Sequence, residues 1–483
     1  MASPRCRRGP AHPRGPVRLH YRHLALTIPC ALRRLTPLLP LLAALLATAC
    51  GDDPPTAPDP VAATLEILSG DAQRAVQGLP LDDLIVVRVL DDANRPLSGA
   101  AITFTPSSGG QADSASVATD DDGRASAIWV LGPDPGEQSL TVSSGNASAR
   151  ATAEALDLEA ELDLLFAPPT QAEMDAIRAD WAGRSAPAAD VRVELSEDYS
   201  LGGSDANLRV VSHVVSGNRH YGAIITPADA DKESLPILVY LHGGDNGVSI
   251  GDVQIAALGL GEDLRESFVY VLPSFRSEPL RHGETRWVSE GISSHWDYDV
   301  DDVIALVNVA FETTPEAKPG GYNLLGGSRG GGVALLTGIR DERVERIVSF
   351  FGPTDFFDDW VREIVREAAL RLPRNLTGVG HLDSTVVQPY IRGDMPRPEA
   401  RLELVRRSSV LFAADIPPLQ VHHGTIDFVV SVSQAESLIR AMEALGRGPP
   451  DFEAFIYESG LHDFLSLDGA IPRAVAFISR ALG

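Results

Sequence analysis

Tyr322-Asn323-Leu324-Leu325-Gly326-Gly327-Ser328-Arg329-Gly330-Gly331-Gly332-Val333 decides how the chain reads. Tyr322, Leu324 and Leu325 make an apolar run, a serine follows among glycines, and Val333-Ala334-Leu335-Leu336 continues small and apolar. That order predicts a strand, a sharp turn and a helix. Gly326-Gly327-Ser328-Arg329-Gly330 fits G-x-S-x-G, in which the serine sits at the apex of a strained strand-to-helix turn and its neighbours must be small. The hydroxyl then stands out over the sheet edge, where the amide of Arg329 and the helix N-terminus are placed to stabilise a developing oxyanion. A plain glycine-rich turn satisfies the same pattern in a chain with 43 glycines. The reading therefore depends on what surrounds it.

Around this stretch, roughly 186–483, strand and helix patterns alternate as in an α/β domain. Eight strands are predicted, at 208–215, 220–226, 237–242, 268–272, 322–326, 347–351, 419–423 and 452–457. Helical patterns cover 253–258, 297–313, 330–340, 433–445 and 471–482. A serine hydroxyl is a poor nucleophile until a base takes its proton, and here an acid and a histidine follow it in order. Asp427 lies just after the seventh strand and His462 just after the eighth, so Ser328, Asp427 and His462 are expected to meet at one sheet edge. Asp355, after the sixth strand, is the rival acid. His422 and His423 read as structural residues at a strand end. Gly243 and Gly244, after the third strand, offer backbone amides unobstructed by side chains for a second oxyanion donor, with His242 supporting their loop.

The formal net charge is −25, and the first 49 residues hold eight arginines and no acid, so the remainder is more acidic still. Such a surface repels nucleic acid and anionic headgroups. The three cysteines are Cys6, Cys30 and Cys50, which leaves the long remainder without a disulfide framework or a Cys-based metal site. Asp297, Asp299, Asp301 and Asp302 read as acids favoured at a helix N-terminus, not as a metal site. No metal and no organic cofactor is implied.

Residues 1–36 are basic, and the apolar run 38–49 is too short to span a bilayer but fits the core of an export signal. Leu46-Ala47-Thr48-Ala49-Cys50 resembles a bacterial lipobox, although Ala47 stands where leucine is usual. The resemblance implies a lipid on Cys50, membrane attachment and a place in the cell envelope, with 1–49 as signal and 50–60 as tether. From 61 to 155 short β-rich segments alternate with turn signals such as Asp121-Asp122-Gly123 and Ser144-Gly145-Asn146, which suggests a β-sandwich. The phrases D-D-A-N-R-P-L-S-G-A-A-I-T-F (91–104), T-D-D-D-G-R-A-S-A-I-W-V-L-G (119–132) and G-E-Q-S-L-T-V-S-S-G-N-A-S-A-R-A-T-A (136–153) together resemble the bacterial Ig-like domains of the invasin and intimin type, implying a spacer or binding module. Residues 156–185 look helical, with Thr170 and Glu173 as a capping box. The connection 355–416 is long enough to be a lid or cap.

Gly326-Gly327-Ser328-Arg329-Gly330-Gly331, His423-Gly424-Thr425-Ile426-Asp427-Phe428-Val429-Val430 and Leu461-His462-Asp463-Phe464 together resemble the prolyl-oligopeptidase-like group of α/β hydrolases, which shades into dienelactone-hydrolase-like and carbohydrate esterases. Asp463 follows the histidine where glycine is usual, and an Ig-like module stands where the oligopeptidases carry a propeller. The resemblance implies an α/β-hydrolase fold and a serine hydrolase that cleaves peptides, with esters on sugars or polymers as the alternative. A different class of reading is a surface-binding protein whose hydrolase core is inert. The oligomeric state stays open.

Overall fold

The computed structural model describes residues 61–187 and 189–482. The predicted signal, the tether and Cys50 lie outside them. The larger part is a mixed sheet of nine strands: β1 (Ala189–Leu201), β2 (Ser204–Val215), β3 (Asn218–Pro227), β4 (Leu235–Leu241), β5 (Val269–Pro273), β6 (Ala317–Gly327), β7 (Val344–Phe350), β8 (Leu419–Gly424) and β9 (Phe452–Tyr457). Their spatial order is β1-β2-β3-β5-β4-β6-β7-β8-β9. The first three form an antiparallel meander, β3 meets β5 antiparallel, and all neighbours from β5 to β9 run parallel.

The parallel strands are apolar on both faces because helices cover both. Alternation sorts them into two cores. Val239, Val271, Leu324 and Ile347 face α4 (Tyr298–Thr313), α5 (Arg329–Arg340) and α8 (Ser433–Ala444), whereas Leu238, Tyr270, Val348 and Phe350 face α3 (Val253–Leu260) and α9 (Ala470–Ile478). This is the α/β-hydrolase arrangement with one strand more than the eight expected. The additional strand is β1, at the edge, exposed along most of its length and broken by two register shifts. An edge strand with little to bury leaves a weak pattern in the sequence.

Residues 64–156 form the expected all-β sandwich. A three-stranded and a five-stranded sheet share one core that includes Ile85, Val87, Ile102, Phe104, Trp129, Leu140 and Val142. The short strands Gln73–Val76, Gln111–Ala112 and Ser116–Ala118 were not legible. Two helices follow, α1 (Leu158–Leu165) and α2 (Gln171–Gly183), and the capping box of Thr170 and Glu173 is present.

The 355–416 connection is mostly helical and includes α6 (Asp359–Ala369) and α7 (Arg397–Val405). Its helical pattern stops short of Leu372, which is exposed. It is a fastened cap rather than a loose strap. Val361, Val365, Val387, Ile391, Leu404 and Phe412 are buried in the same core as the sheet. Arg401 donates to Glu173 at 2.6 Å and to the carbonyls of Leu165 and Ala167 at 2.7 and 2.8 Å. Arg371 reaches Asp82 and the Pro80 carbonyl of the sandwich, and Arg74 reaches back to the carbonyl of Tyr390.

Candidate active site

Ser328 stands between β6 and α5 at φ 55° and ψ −124°, a conformation that costs an L-residue energy and persists only where its surroundings impose it. The glycines around it are imposed by contact. A Cβ on Gly326 would lie 2.2 Å from the Gly330 carbonyl oxygen, and one on Gly330 would lie 2.1 Å from that of Leu241. The Ser328 amide donates to the Phe350 carbonyl at 2.9 Å, which fastens the turn to β7. The serine opens onto a cleft also lined by Gly243, Gly244, Phe351, Thr377 and His462.

Asp427 and His462 meet as expected, on the loops after β8 and β9. The His462 Nδ1–H donates to Asp427 Oδ2 at 2.7 Å, and the other carboxylate oxygen accepts the amides of Val429 and Val430 at 2.8 and 2.9 Å. Burial works against charge on Asp427, but the hydrogen bonds from His462 and those two amides prevail and hold its carboxyl below the ordinary range. That bond fixes the imidazole tautomer and leaves Nε2 to act as base. Among the described residues Nδ1 carries the only hydrogen bond of the His462 ring, so Ser328 and His462 are not yet joined, as is common before substrate closes a site.

The rival Asp355 is engaged elsewhere, accepting from the Phe357 amide and the Ser437 hydroxyl. His422 is buried in a stack with Phe350 and bonded to Gln420 and Tyr457, and His423 is bonded to the Val430 carbonyl at 2.9 Å. Both are structural, as expected.

The loop after β4 runs directly beside the serine. A Cβ on Gly243 would stand 3.0 Å from Ser328 Cβ and 3.7 Å from its Oγ. The Gly243 carbonyl is held by His242 Nδ1 at 3.0 Å and the Gly244 carbonyl by Arg329 Nη1 at 3.1 Å. Holding the Gly243 carbonyl turns the Gly244 amide, trans to it across the same peptide unit, the other way. Among the described residues the amides of Gly243, Gly244 and Arg329 have no backbone partner.

The Arg329 side chain is the part of the site that sequence reasoning missed. It is fully buried, forks onto Asp299 with two bonds of 2.8 Å, pairs with Glu278 and lies 4.6 Å from the Phe275 ring. Glu278 in turn accepts the Gly247 amide at 3.0 Å, so Arg329 holds the loop after β4 at two places, once directly and once through Glu278. Burial raises the Glu278 carboxyl, whereas the Arg329 guanidinium outweighs burial at Asp299 and keeps it low. The four aspartates expected at a helix terminus are thus also buried ion-pair partners. Asp297 pairs with Arg184, Asp299 with Arg329, Asp301 with Arg340 and Asp302 with Arg276. The macrodipole is the smaller part of their role, since an uncompensated buried carboxylate costs far more than a dipole returns. A readable signal existed: an arginine among glycines and apolar residues on a buried helix needs a buried acid.

Beside Ser328 a second recess, of about 40 Å³, runs under the cap and is walled by Trp296, Phe356, Trp360, Ile364, Leu382 and Val430. A strained serine, an imidazole held by a buried carboxylate and free amides at one sheet edge form the working geometry of a serine hydrolase.

No family model matches the chain, and no curated protein matches it. Among solved structures it is similar to acetyl xylan esterase 1 from Thermoanaerobacterium sp. JW/SL YS485, at 16% identity and a TM-score of 0.46 over 68% of this chain and 99% of that one. It is also similar to the acetyl xylan esterase from Paenibacillus sp. R4, at 15% identity and 0.45 over 65% and 98%, and to an S-formylglutathione hydrolase from Agrobacterium tumefaciens, at 14% and 0.39 over 60% and 100%.

Proposed function

We propose that the protein is a carboxylesterase working through an acyl-enzyme on Ser328. Ser328 Oγ attacks the ester carbonyl as its proton passes to His462 Nε2, and Asp427 steadies the imidazolium. The amides of Arg329 and of Gly243 or Gly244 take up the oxyanion. The alcohol leaves with the proton from His462, and water then repeats the sequence to release the acid.

The observation that carries the ester reading over the peptide one is the lining of the recess beside the serine. An extended peptide brings an N–H and a C=O for every residue, and each needs a partner once water is excluded. The walls offer mainly Trp296, Phe356, Trp360, Ile364 and valines, and their polar side-chain groups apart from Ser328 and Arg329 are the Thr377 hydroxyl and the two indole N–H groups, too few to serve an extended backbone. An apolar acyl or alkyl group needs no such partners. This departs from the peptide preference that the motif resemblance implied. A matched panel of ester and amide substrates with the same acyl groups tests it, with the esters hydrolysed and no amide or peptide bond cleaved. Steady-state cleavage of a peptide or amide substrate by wild type that is lost in Ser328→Ala would restore the peptidase reading.

We further propose that Cys50 carries a lipid and holds the enzyme in the cell envelope, with the sandwich as spacer; the lipobox-like Leu46 to Cys50 supports this. Cys50→Ala should then leave the membrane fraction or stay unprocessed, and unchanged fractionation would remove the proposal.

A further inference from the structure

A separate cavity of about 80 Å³ lies between the sheet and the pair α3 and α9, bounded by Leu238, Gly259, Ala474, Val475 and Ile478. It shares three walls with the catalytic cleft: Tyr240, Gly327 and Phe464. Gly327 immediately precedes Ser328, and Phe464 is two residues beyond His462. The Phe464 ring is the partition. It rests edge-on against Phe350 at 4.8 Å and beside Phe351 at 5.2 Å, and a Cβ on Gly327 would lie 2.8 Å from its Cζ.

Packed protein interiors leave few spaces larger than a water, and this cavity is a half-open recess rather than a sealed void. This one is lined almost entirely by apolar atoms and is separated from the reaction centre by one aromatic ring. The Tyr240 hydroxyl is the one polar side-chain group among its walls, so a polar guest finds little to bond there. The volume is about half of the ~150 Å³ apolar cavity that takes benzene, so it suits a chain of a few methylene groups rather than a ring.

We propose that this cavity receives the short unbranched aliphatic chain of the ester substrate, the Phe464 ring turning aside to admit it. The proposal rests on the esterase reading of the same site and adds its substrate class. The chain belongs either to the acyl group or to the alcohol, and two substrate series separate the two sources.

The test measures kcat/KM of the full chain for p-nitrophenyl esters from acetate to octanoate, and for acetate esters of alcohols from methanol to hexanol. In one of the two series activity should rise to the four- to six-carbon chain and fall beyond it. The series that rises identifies the source. Ala474→Phe fills the cavity and should cut kcat/KM for the optimum chain at least tenfold while changing the acetyl or methyl ester less than twofold. Val475→Phe, on the adjacent position of α9, provides a second filling variant should the first fail to fold. A chain-length profile that is flat in the wild type, or unaltered by both variants, overturns the cavity assignment and leaves the esterase reading in place. No hydrolysis of any ester in either series overturns the esterase reading itself, and the cavity proposal with it.

Discussion

At the scale of single residues, Ser328, Asp427 and His462 were legible because the chemistry demands fixed residue types at strand ends in a fixed order, and spacing alone locates strand ends. The side chain of Arg329 was not legible in the same way. Its importance comes from burial and from Asp299 and Glu278, which the chain brings together from distant positions. The Arg329 side chain touches the loop after β4 and not the serine, so the role proposed for it is positioning. Lysine at this position keeps the charge but loses the planar fork that serves Asp299 and Gly244 together. Arg329→Lys is therefore expected to lower kcat by roughly tenfold or more with KM nearly unchanged, since a displaced oxyanion donor weakens only the transition state. The affinity of a boronic-acid transition-state analogue should fall in parallel with kcat. A purely structural arginine would instead lower the melting temperature and leave the analogue's affinity relative to substrate as it was.

At the scale of elements, the parallel strands declared themselves as apolar runs, whereas β1 hid because an exposed edge strand has little periodic burial to report. The cap was visible as a long connection with helical spacing, but its attachment to the sandwich through Arg74 and Arg371, and to α1 and α2 through Arg401, depends on partners far away in sequence. The loop after β4 is the element most exposed to test. Gly243→Ala places a methyl group 3.0 Å from Ser328 Cβ and 3.1 Å from the Gly327 carbonyl oxygen, tighter than ordinary contact. The loop must retreat from the serine. Stopped-flow measurement of acylation should show a rate about 10²-fold lower, the size of effect that follows loss of one oxyanion donor. An unchanged acylation rate would mean that this loop does not supply the donor.

At the scale of the whole molecule, the acidic composition and the two-part architecture were readable, and the consequences of burial were not. His213, His220, His242, His295 and His422 are each at most 4% exposed. Burial pushes them down to about 4, 3, 4, 3 and 3 respectively. The unfolded chain takes up protons at these groups near pH 6.5 while the folded chain does not, so stability rises with pH in that window and is lost as pH falls from about 6.5 toward 4. Asp302, pushed up to about 7 by burial, and Glu278, also raised by burial, act in the opposite sense, but they are two groups against five. Each histidine adds a slope approaching ~1.4 kcal/mol per pH unit. Calorimetry should show a melting temperature distinctly lower at pH 5 than at pH 7.5, with proton uptake on unfolding. A flat profile would mean that these imidazoles are not held neutral.

All of these expectations depend on Ser328 being the group that is acylated. The most direct measurement is intact-mass analysis after treatment with a fluorophosphonate, followed by peptide mapping of the adduct. One phosphonyl group per chain, carried by the peptide containing Ser328, absent in Ser328→Ala and formed at least a hundredfold more slowly in His462→Ala, is the predicted result. An adduct on another residue, or equal labelling of wild type and Ser328→Ala, would contradict it.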